Sequence, residues 1–575
     1  MIRRFLSSYP TSSAIFFLFA TLVMTWPIAM APGAHYSGRQ DFYMNVWNLW
    51  WVARAFTESG VALFHTPLLH FPDGAGLEVQ PLSLAQSIPA IPLTLALGPV
   101  KAFNLLVMFS FWFAGWSASL WTRQVAGRNE AGLVGGAIFA FAPYHYTYFA
   151  QLNLVCVGFI PLYLLAALHL GRKPTAARAT LAGVALAAVG LGSWYYGVIV
   201  GMVAVVLSAV RLFGGPRESR QARAGMEALH WVSCLILLAP VVARILPSFV
   251  GVEYLEAPAK SGMGLLMERF KHTWATMSLW SYAGLVTLSL AAFGAVAWRR
   301  SRALVGMVAF FFVLSLGARL ALGPVSVPMP YALLEKFPVL DAMRYYDRFF
   351  VLCQLGLAAL AALGVSRVLD RVEERRASWK PAVAAVLLIL PLAEFWPGGL
   401  PSTTVDVTLP VPVERAGDEG AVMAIPTYFK HWDGEMMFHQ VRHRRPVVGA
   451  FITRRDRALP NRFRKDSAIG PLLGKPPSSL GGDLSVQLGR AGFSHVYVQR
   501  RPLVNGTPPE VHGVYGPLSI FGRTYLRQRL FPTYPSHADM AERSAAWEEA
   551  LRPILGPAVA ENSLASVFRV PREEP

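Results

Sequence analysis

Charge is scarce along this chain. Only 15% of its 575 residues are charged, against 54% hydrophobic, where a soluble globular protein carries about 25% charged residues. That excludes an ordinary soluble enzyme. Cysteine is scarcer still. Cys156, Cys234 and Cys353 all fall in apolar stretches and no Cys-x-x-Cys occurs, so a thiol-ligated zinc site and a disulfide framework both lack their residues. Walker and Gly-x-Ser-x-Gly patterns are missing. The stretch GPLLGKPPSS (470–479) has its glycines one residue too close for a phosphate loop, and proline follows its lysine. No internal repeat of fixed period and no low-complexity tract is present.

What the sequence does have is apolar length. The mean hydropathy is +0.40, and runs of about 18 or more apolar residues recur, each enough to cross a hydrocarbon core of ~30 Å. The chain reads as mainly α, a polytopic helical membrane protein with about eleven spans, centred near residues 22, 110, 140, 161, 186, 204, 238, 288, 312, 358 and 389. The basic start MIRR and the small residues of AMAPGA also fit a signal peptide. The apolar run from Ala14 to Ala31 is long for one, however, and it reads as an uncleaved first span. The net charge of +18 is carried largely by alternate connections, among them Arg123 and Arg128, Arg217 to Arg223, Arg299 to Arg302, and Arg367 to Lys380. The positive-inside rule makes these cytoplasmic, with the N-terminus inside. An odd number of spans then puts the tail outside. Residues 1–397 form the membrane part, with a long first outer loop at 32–98; other outer segments are 248–277 and 322–346. Residues 398–575 lose the long apolar runs and read as a small C-terminal extracytoplasmic α/β domain. Its strands are expected at 421–426, 495–500 and 565–570, and a helix at 537–555.

The first outer loop carries SGRQDFYMNVWNLWWVARAF (37–56). As a helix it sets Asp41, Asn45 and Asn48 on one face, at i, i+4 and i+7. Its tryptophans, Trp47, Trp50 and Trp51, are expected at the membrane–water interface, where amphipathic rings are favoured, and its polar stripe facing a cavity there. This layout resembles the GT-C superfamily of membrane glycosyltransferases: a first span, then a long outer loop with an acid near its start, then a Trp-rich helix. One bacterial branch, including proteins of YfhO-type architecture, is similar also in HTPLLHFPDGAGLEVQPLSLAQSIPAIPL (65–93), AGLVGGAIFAFAPYHYTYFAQLNLVCVGFIPLYLLAALHL (131–170), SWYYG (193–197), MPYALLEKFPVLDAMRYYDRF (329–349) and HQVRHRRPVVGAFITR (439–454). The resemblance covers about residues 10–460.

It implies a bacterial inner-membrane enzyme with a cytoplasmic N-terminus and a periplasmic tail. Such an enzyme takes a sugar from a polyprenyl-phosphate donor and delivers it to a glycan, lipid or protein acceptor on the outer face. The alternative is a non-catalytic protein of the same scaffold that binds or transports lipid-linked glycans for envelope assembly. The first-loop acid of the family acts as general base or binds the acceptor. Many members have two acids there, whereas this chain has Asp41 preceded by Gln40. That departure argues against a metal-dependent variant, and no cofactor is expected.

Asp41 has two compatible readings. A carboxylate there can take the proton of an attacking hydroxyl, and Asp is also favoured as a helix N-cap, where its oxygen satisfies a free backbone N–H. Asn45 and Asn48 are candidate substrate contacts on the same face. His65, His70, Asp73 and Glu78 form a loose polar group in a turn-rich stretch, without fixed ligand spacing; His70 and Glu78 are candidates for acceptor binding and not for metal. Glu253 and Glu256 are reserves for a second carboxylate. His145 reads as part of an interfacial aromatic anchor with Tyr144, Tyr146 and Tyr148. Arg344 and Arg348, at i and i+4 where a helix enters the membrane, can grip a phosphate with planar forks. The alternatives are snorkelling to lipid headgroups, or pairing with Asp341 and Asp347. Residues 442–465 hold eight arginines and Lys465 against Asp456. Outside the membrane this suits membrane lipids or a lipid phosphate rather than nucleic acid.

Overall fold

The computed structural model describes residues 8–249 apart from 34, 37–39 and 215, and residues 283–397 apart from 297, 323–324, 338–339 and 341–345. In the tail it describes 403–404, 412–415, 420–425, 432–450, 463, 469–473, 480–500 and 537–571. A helix stands at each of the eleven places where the sequence predicts a span. These are α1 (Tyr9–Met24), α3 (Pro99–Ala126), α4 (Asn129–Ala140), α5 (Phe159–Arg172), α6 (Ala176–Gly192), α7 (Trp194–Phe213), α8 (Arg220–Ile245), α9 (Leu285–Ala295), α10 (Trp298–Leu314), α11 (Phe350–Arg376) and α12 (Lys380–Glu394), with α2 (Gln40–Thr57) in the first loop. Among the described residues five stretches are long and apolar enough to cross a membrane: Pro99–Ala126, Leu152–Arg172, Trp194–Phe213, Arg220–Ile245 and Tyr346–Glu394. The 12 residues of α4 reach only roughly 18 Å. They pack against α3 and α11.

α11 is the axis of the bundle. Its residues from Phe350 to Ser366 are buried on every side, and it packs against α3, α4, α9, α10 and α12. Gly294 of α9 and Gly364 of α11 let two backbones meet. A Cβ on Gly294 would lie 2.0 Å from the Leu360 carbonyl oxygen, and one on Gly364 2.1 Å from that of Leu290. Close approach through small residues is how membrane helices gain packing without a hydrophobic drive between them. Glu394, the acid at the end of α12, accepts backbone N–H bonds from Leu285 and Val286 and so closes the N-terminus of α9.

One end of the bundle is ionic. Arg128, in the α3–α4 turn, meets Asp370 and Glu373 of α11, and Lys380 at the start of α12 reaches Glu373 at 2.6 Å and Glu130 at 3.4 Å. From Phe350 to Asp370, α11 rises roughly 30 Å, a bilayer core. The candidate site lies at the other end.

In the first loop, β1 (His35–Tyr36) pairs with β6 (Thr403–Thr404) of the tail, and β2 (His65–Thr66) forms a hairpin with β3 (Ala75–Gly76). β4 (Arg319–Leu322) and β5 (Val325–Pro328) form a second hairpin. The tail holds a four-stranded sheet of β7 (Ala421–Ile425), β8 (Phe493–Gln499), β9 (Ala560–Glu561) and β10 (Ala565–Arg569), in the order β7-β8-β10-β9. β7 and β8 are parallel, whereas β8–β10 and β10–β9 are antiparallel. Strand side chains alternate between faces, and here both faces are covered. Met423, Ile425, Val496 and Val498 pack with Leu484, Leu488 and Trp547, the last from the helix His537–Leu555. Val422, Ala424 and Tyr497 pack instead with Met436 and Met437 of α13 (Trp432–His443) and with Trp47, Trp50 and Trp51 of α2.

That arrangement corrects the expected place of the tryptophans. They are at most 7% exposed, inside protein rather than at a lipid boundary. The Trp47 indole donates to Gln440 Oε1 at 2.8 Å, and that of Trp51 to the Leu63 carbonyl at 3.2 Å. An aromatic face in a sequence says that something apolar covers it, without saying whether this is lipid or protein.

Candidate active site

α2 has no glycine or proline to interrupt it. Asp41 in its first turn and Arg54 in its last both suit the helix dipole. Its polar stripe is nearly dry, with Asn45 at 1% and Asn48 at 2% exposure. Each amide is held by backbone. Asn45 Nδ2 donates to the Asp41 carbonyl at 2.6 Å and to that of Ala150 at 3.2 Å. Asn48 Nδ2 donates to the Pro81 carbonyl at 3.1 Å and its Oδ1 accepts from Gln80 Nε2 at 3.2 Å. These asparagines fasten α2 to the rest of the loop and to the α4–α5 connection, a positioning task beside the substrate contact expected of them.

The Asp41 carboxylate accepts Gln151 Nε2 at 2.8 Å. Gln151 follows a short helix, Pro143–Tyr148, and its N–H closes the turn on the Tyr148 carbonyl at 2.8 Å. The Tyr148 hydroxyl donates to Asp347 Oδ2 at 2.9 Å. Asp347 sits in the 3₁₀ turn Tyr346–Phe349 that leads into α11. One peptide segment therefore bridges two carboxylates that are far apart in sequence.

Arg348 is next to Asp347 and 7% exposed; its guanidinium carbon lies 3.5 Å from the centre of the Tyr195 ring, near the start of α7. Snorkelling to headgroups does not describe so buried a side chain. A tyrosine layer surrounds it. Tyr144 and Tyr148 have ring centres 4.7 Å apart, Tyr144 meets the Tyr196 hydroxyl, and Tyr196 donates to the Leu154 carbonyl at 3.3 Å. His145 and its neighbours are buried at 2–4% exposure, so the expected interfacial anchor is core. Proline at the helix start and the turn that follows fold this segment inward.

The structure thus bonds Asp41 and Asn45 to each other and to the Ala150–Gln151 segment, ties Asn48 instead to Pro81 and Gln80, and brings Arg348 to the Tyr148 segment through Asp347. His70 and Glu78 belong to the β2–β3 region. His70 takes a left-handed backbone, φ 53°, in a turn whose neighbours Leu68 and Phe71 bond the backbone of Val447 in the tail. Glu78 folds back over Gly76. Arg344, Asp341, Glu253 and Glu256 lie outside the described residues, as does most of the basic stretch 442–465. Within that stretch Arg442 pairs with Glu414 at 2.8 Å, and Arg445 contacts His495 at 3.0 Å. Among the described residues no three His, Cys, Asp or Glu side chains are grouped as metal ligands would be. Sequence reasoning missed Gln151 and Tyr195, took Tyr148 for an interfacial anchor, and saw Asp347 only as a possible ion-pair partner. The signal was the polar residues ending FAPYHYTYFAQ and the second tyrosine pair in SWYYG.

By sequence, no family model matches the chain, and no curated protein matches it either. In fold it is similar to arabinofuranosyltransferase AftD from mycobacteria, with a TM-score of 0.62 at 16% identity; the match covers 98% of this chain and 40% of that one. The chain therefore spans about two fifths of that protein's length. It is also similar to the oligosaccharyltransferase of Archaeoglobus fulgidus (TM-score 0.48, 12% identity, 86% and 70% of the two chains) and to ArnT of Cupriavidus metallidurans (0.45, 13%, 97% and 96%). Scores under 0.5 add no weight. The first likeness, at its low identity, concerns architecture alone: over nearly its whole length the chain shares the fold of that arabinofuranosyltransferase.

Proposed function

We propose that this protein is a glycosyltransferase of the bacterial inner membrane. It moves a sugar from a polyprenyl-phosphate donor to a glycan, lipid or protein acceptor on the outer face. The observation that carries this reading is the pairing of Asp41, through Gln151 and Tyr148, with Asp347 and the buried Arg348. A first-loop acid by itself fits a binding protein as well as an enzyme. A second carboxylate and a cation held against it suit bond exchange at a charged leaving group.

The reaction is a direct displacement with inversion. An acceptor hydroxyl attacks the anomeric carbon, its proton passes to the Asp41 carboxylate, and the bond from that carbon to the donor phosphate oxygen breaks. The lipid phosphate leaves with the electron pair. Gln151 holds one oxygen of Asp41 in place, so the base meets the hydroxyl without a search through rotamers. Arg348 offsets the growing charge on the phosphate, and a cation inside protein acts more strongly there than in water. In this orientation the ionic end of the bundle is cytoplasmic, and the site and tail are outside.

The test is Asp41→Asn in full-length protein in detergent. It is assayed for release of polyprenyl phosphate from a panel of short-chain polyprenyl-phosphate sugars that begins with arabinofuranose. Asparagine keeps the size and can still accept from Gln151, so folding and thermal stability stay near wild type. The rate falls by about 10²–10⁴. A fully active Asp41→Asn enzyme would remove Asp41 as the base.

A further inference from the structure

The two sides of α2 do different jobs. Successive helical residues turn by about 100°, which puts Tyr43 and Trp47 roughly opposite Asp41 and Asn45. On the second side Tyr43 donates its hydroxyl to Glu435 Oε1 at 3.1 Å, and Trp47 donates to Gln440 Oε1 at 2.8 Å. Both acceptors are on α13 and are fully buried. They are fixed in turn. Glu435 Oε2 takes Gln499 Nε2 from β8 at 2.6 Å, and Gln440 Nε2 donates to the Leu68 and Arg445 carbonyls at 2.6 and 2.9 Å. A sheet domain of several strands is thus wired to the helix face behind the acid.

We propose that the tail is part of the catalytic frame, with Glu435 and Gln440 as positioning residues. Through Tyr43 and Trp47 they set the rotation of α2 about its axis and so aim the Asp41 carboxylate at Gln151. This rests on Asp41 being the base. Two bonds one helical turn apart resist rotation far better than one, since a single contact leaves a pivot. The polar stripe fastens the opposite side of α2, Asn45 to the Ala150 carbonyl and Asn48 to that of Pro81, so the helix is held from both sides. The junction is insensitive to mild acid on its histidine side. Burial, and then nearby Arg442, hold His439 of α13 down at about 3.

Tyr43→Phe removes one bond and keeps the ring; Tyr43→Phe with Trp47→Phe removes both. In the assay above, Tyr43→Phe is expected to lower kcat by roughly 10- to 100-fold, the scale of a small misplacement of a reacting group. Its KM for the donor is unchanged. The acid limb of kcat/KM moves to higher pH, because loosening the Gln151 bond removes a donor that favours the charged carboxylate. The double variant moves the limb further. Leu488→Ala, in the core on the far side of the sheet, lowers the melting temperature and leaves the limb in place. With Asp41→Asn inactive, a Tyr43→Phe enzyme of wild-type kcat and limb would overturn the positioning role. So would a fall in kcat with an unmoved limb, which is a stability effect of the kind Leu488→Ala controls for. A fully active Asp41→Asn would overturn the base and the positioning together.

Discussion

Arg348 keeps a guanidinium inside the protein by setting it over the Tyr195 ring, 3.5 Å from the ring centre. A desolvated cation–π contact of this kind is worth about 2 kcal/mol. Lysine at this position would keep the charge and lose both the flat face and the fork that engages two oxygens. Arg348→Lys should therefore weaken binding of a short-chain polyprenyl-phosphate sugar by roughly 10- to 150-fold, the equivalent of one lost charge-assisted hydrogen bond. Titration of purified protein in detergent measures it, and unchanged affinity would leave Arg348 as a packing residue. At this scale the sequence shows which side chains share a face and hides what they meet. Asp41, Asn45 and Asn48 follow from helical spacing. Gln151 is 110 residues from Asp41, and Glu435 is 392 from Tyr43, so no periodicity connects them.

Among the elements α11 has the least room. Its crossing with α9 depends on two glycines whose added Cβ atoms would fall about 2 Å from opposing carbonyl oxygens. Gly364→Leu must push the helices apart, at a cost of about 1–3 kcal/mol or more. Since α11 starts at the Asp347–Arg348 turn, the loss should show as a lower melting temperature together with lower activity. Gly306→Leu, on a part of α10 with nothing within 4 Å, should be silent by both measures; equal melting temperatures for the two variants would refute the crossing argument. Helix positions are legible because apolar length is a local property. Lengths are not. The sequence centres a span near residue 140, whereas α4 ends at Ala140 and a separate short helix starts at Pro143. Tail strands are equally legible from their β-branched alternation, whereas the protein covering their second face comes from elsewhere in the chain.

For the whole molecule, the proposed orientation makes a plain prediction. A phosphatase fused after residue 400 should be active outside the membrane, and one fused near Arg220 should be inactive; the reverse pattern would put Asp41 in the cytoplasm and end the polyprenyl-donor reading. The union of the first loop with the tail also has a consequence in time. α2 is made early, and α13 emerges some 390 residues later. At ribosomal speeds of 5–20 residues per second the delay is about 20–80 s. Through that interval a face of three tryptophans waits for its cover while helix after helix enters the bilayer. In the proposed orientation a nascent chain in this state is a natural client for a chaperone on the far side of the membrane, and a chain broken off before α13 never completes the fold around its own acid.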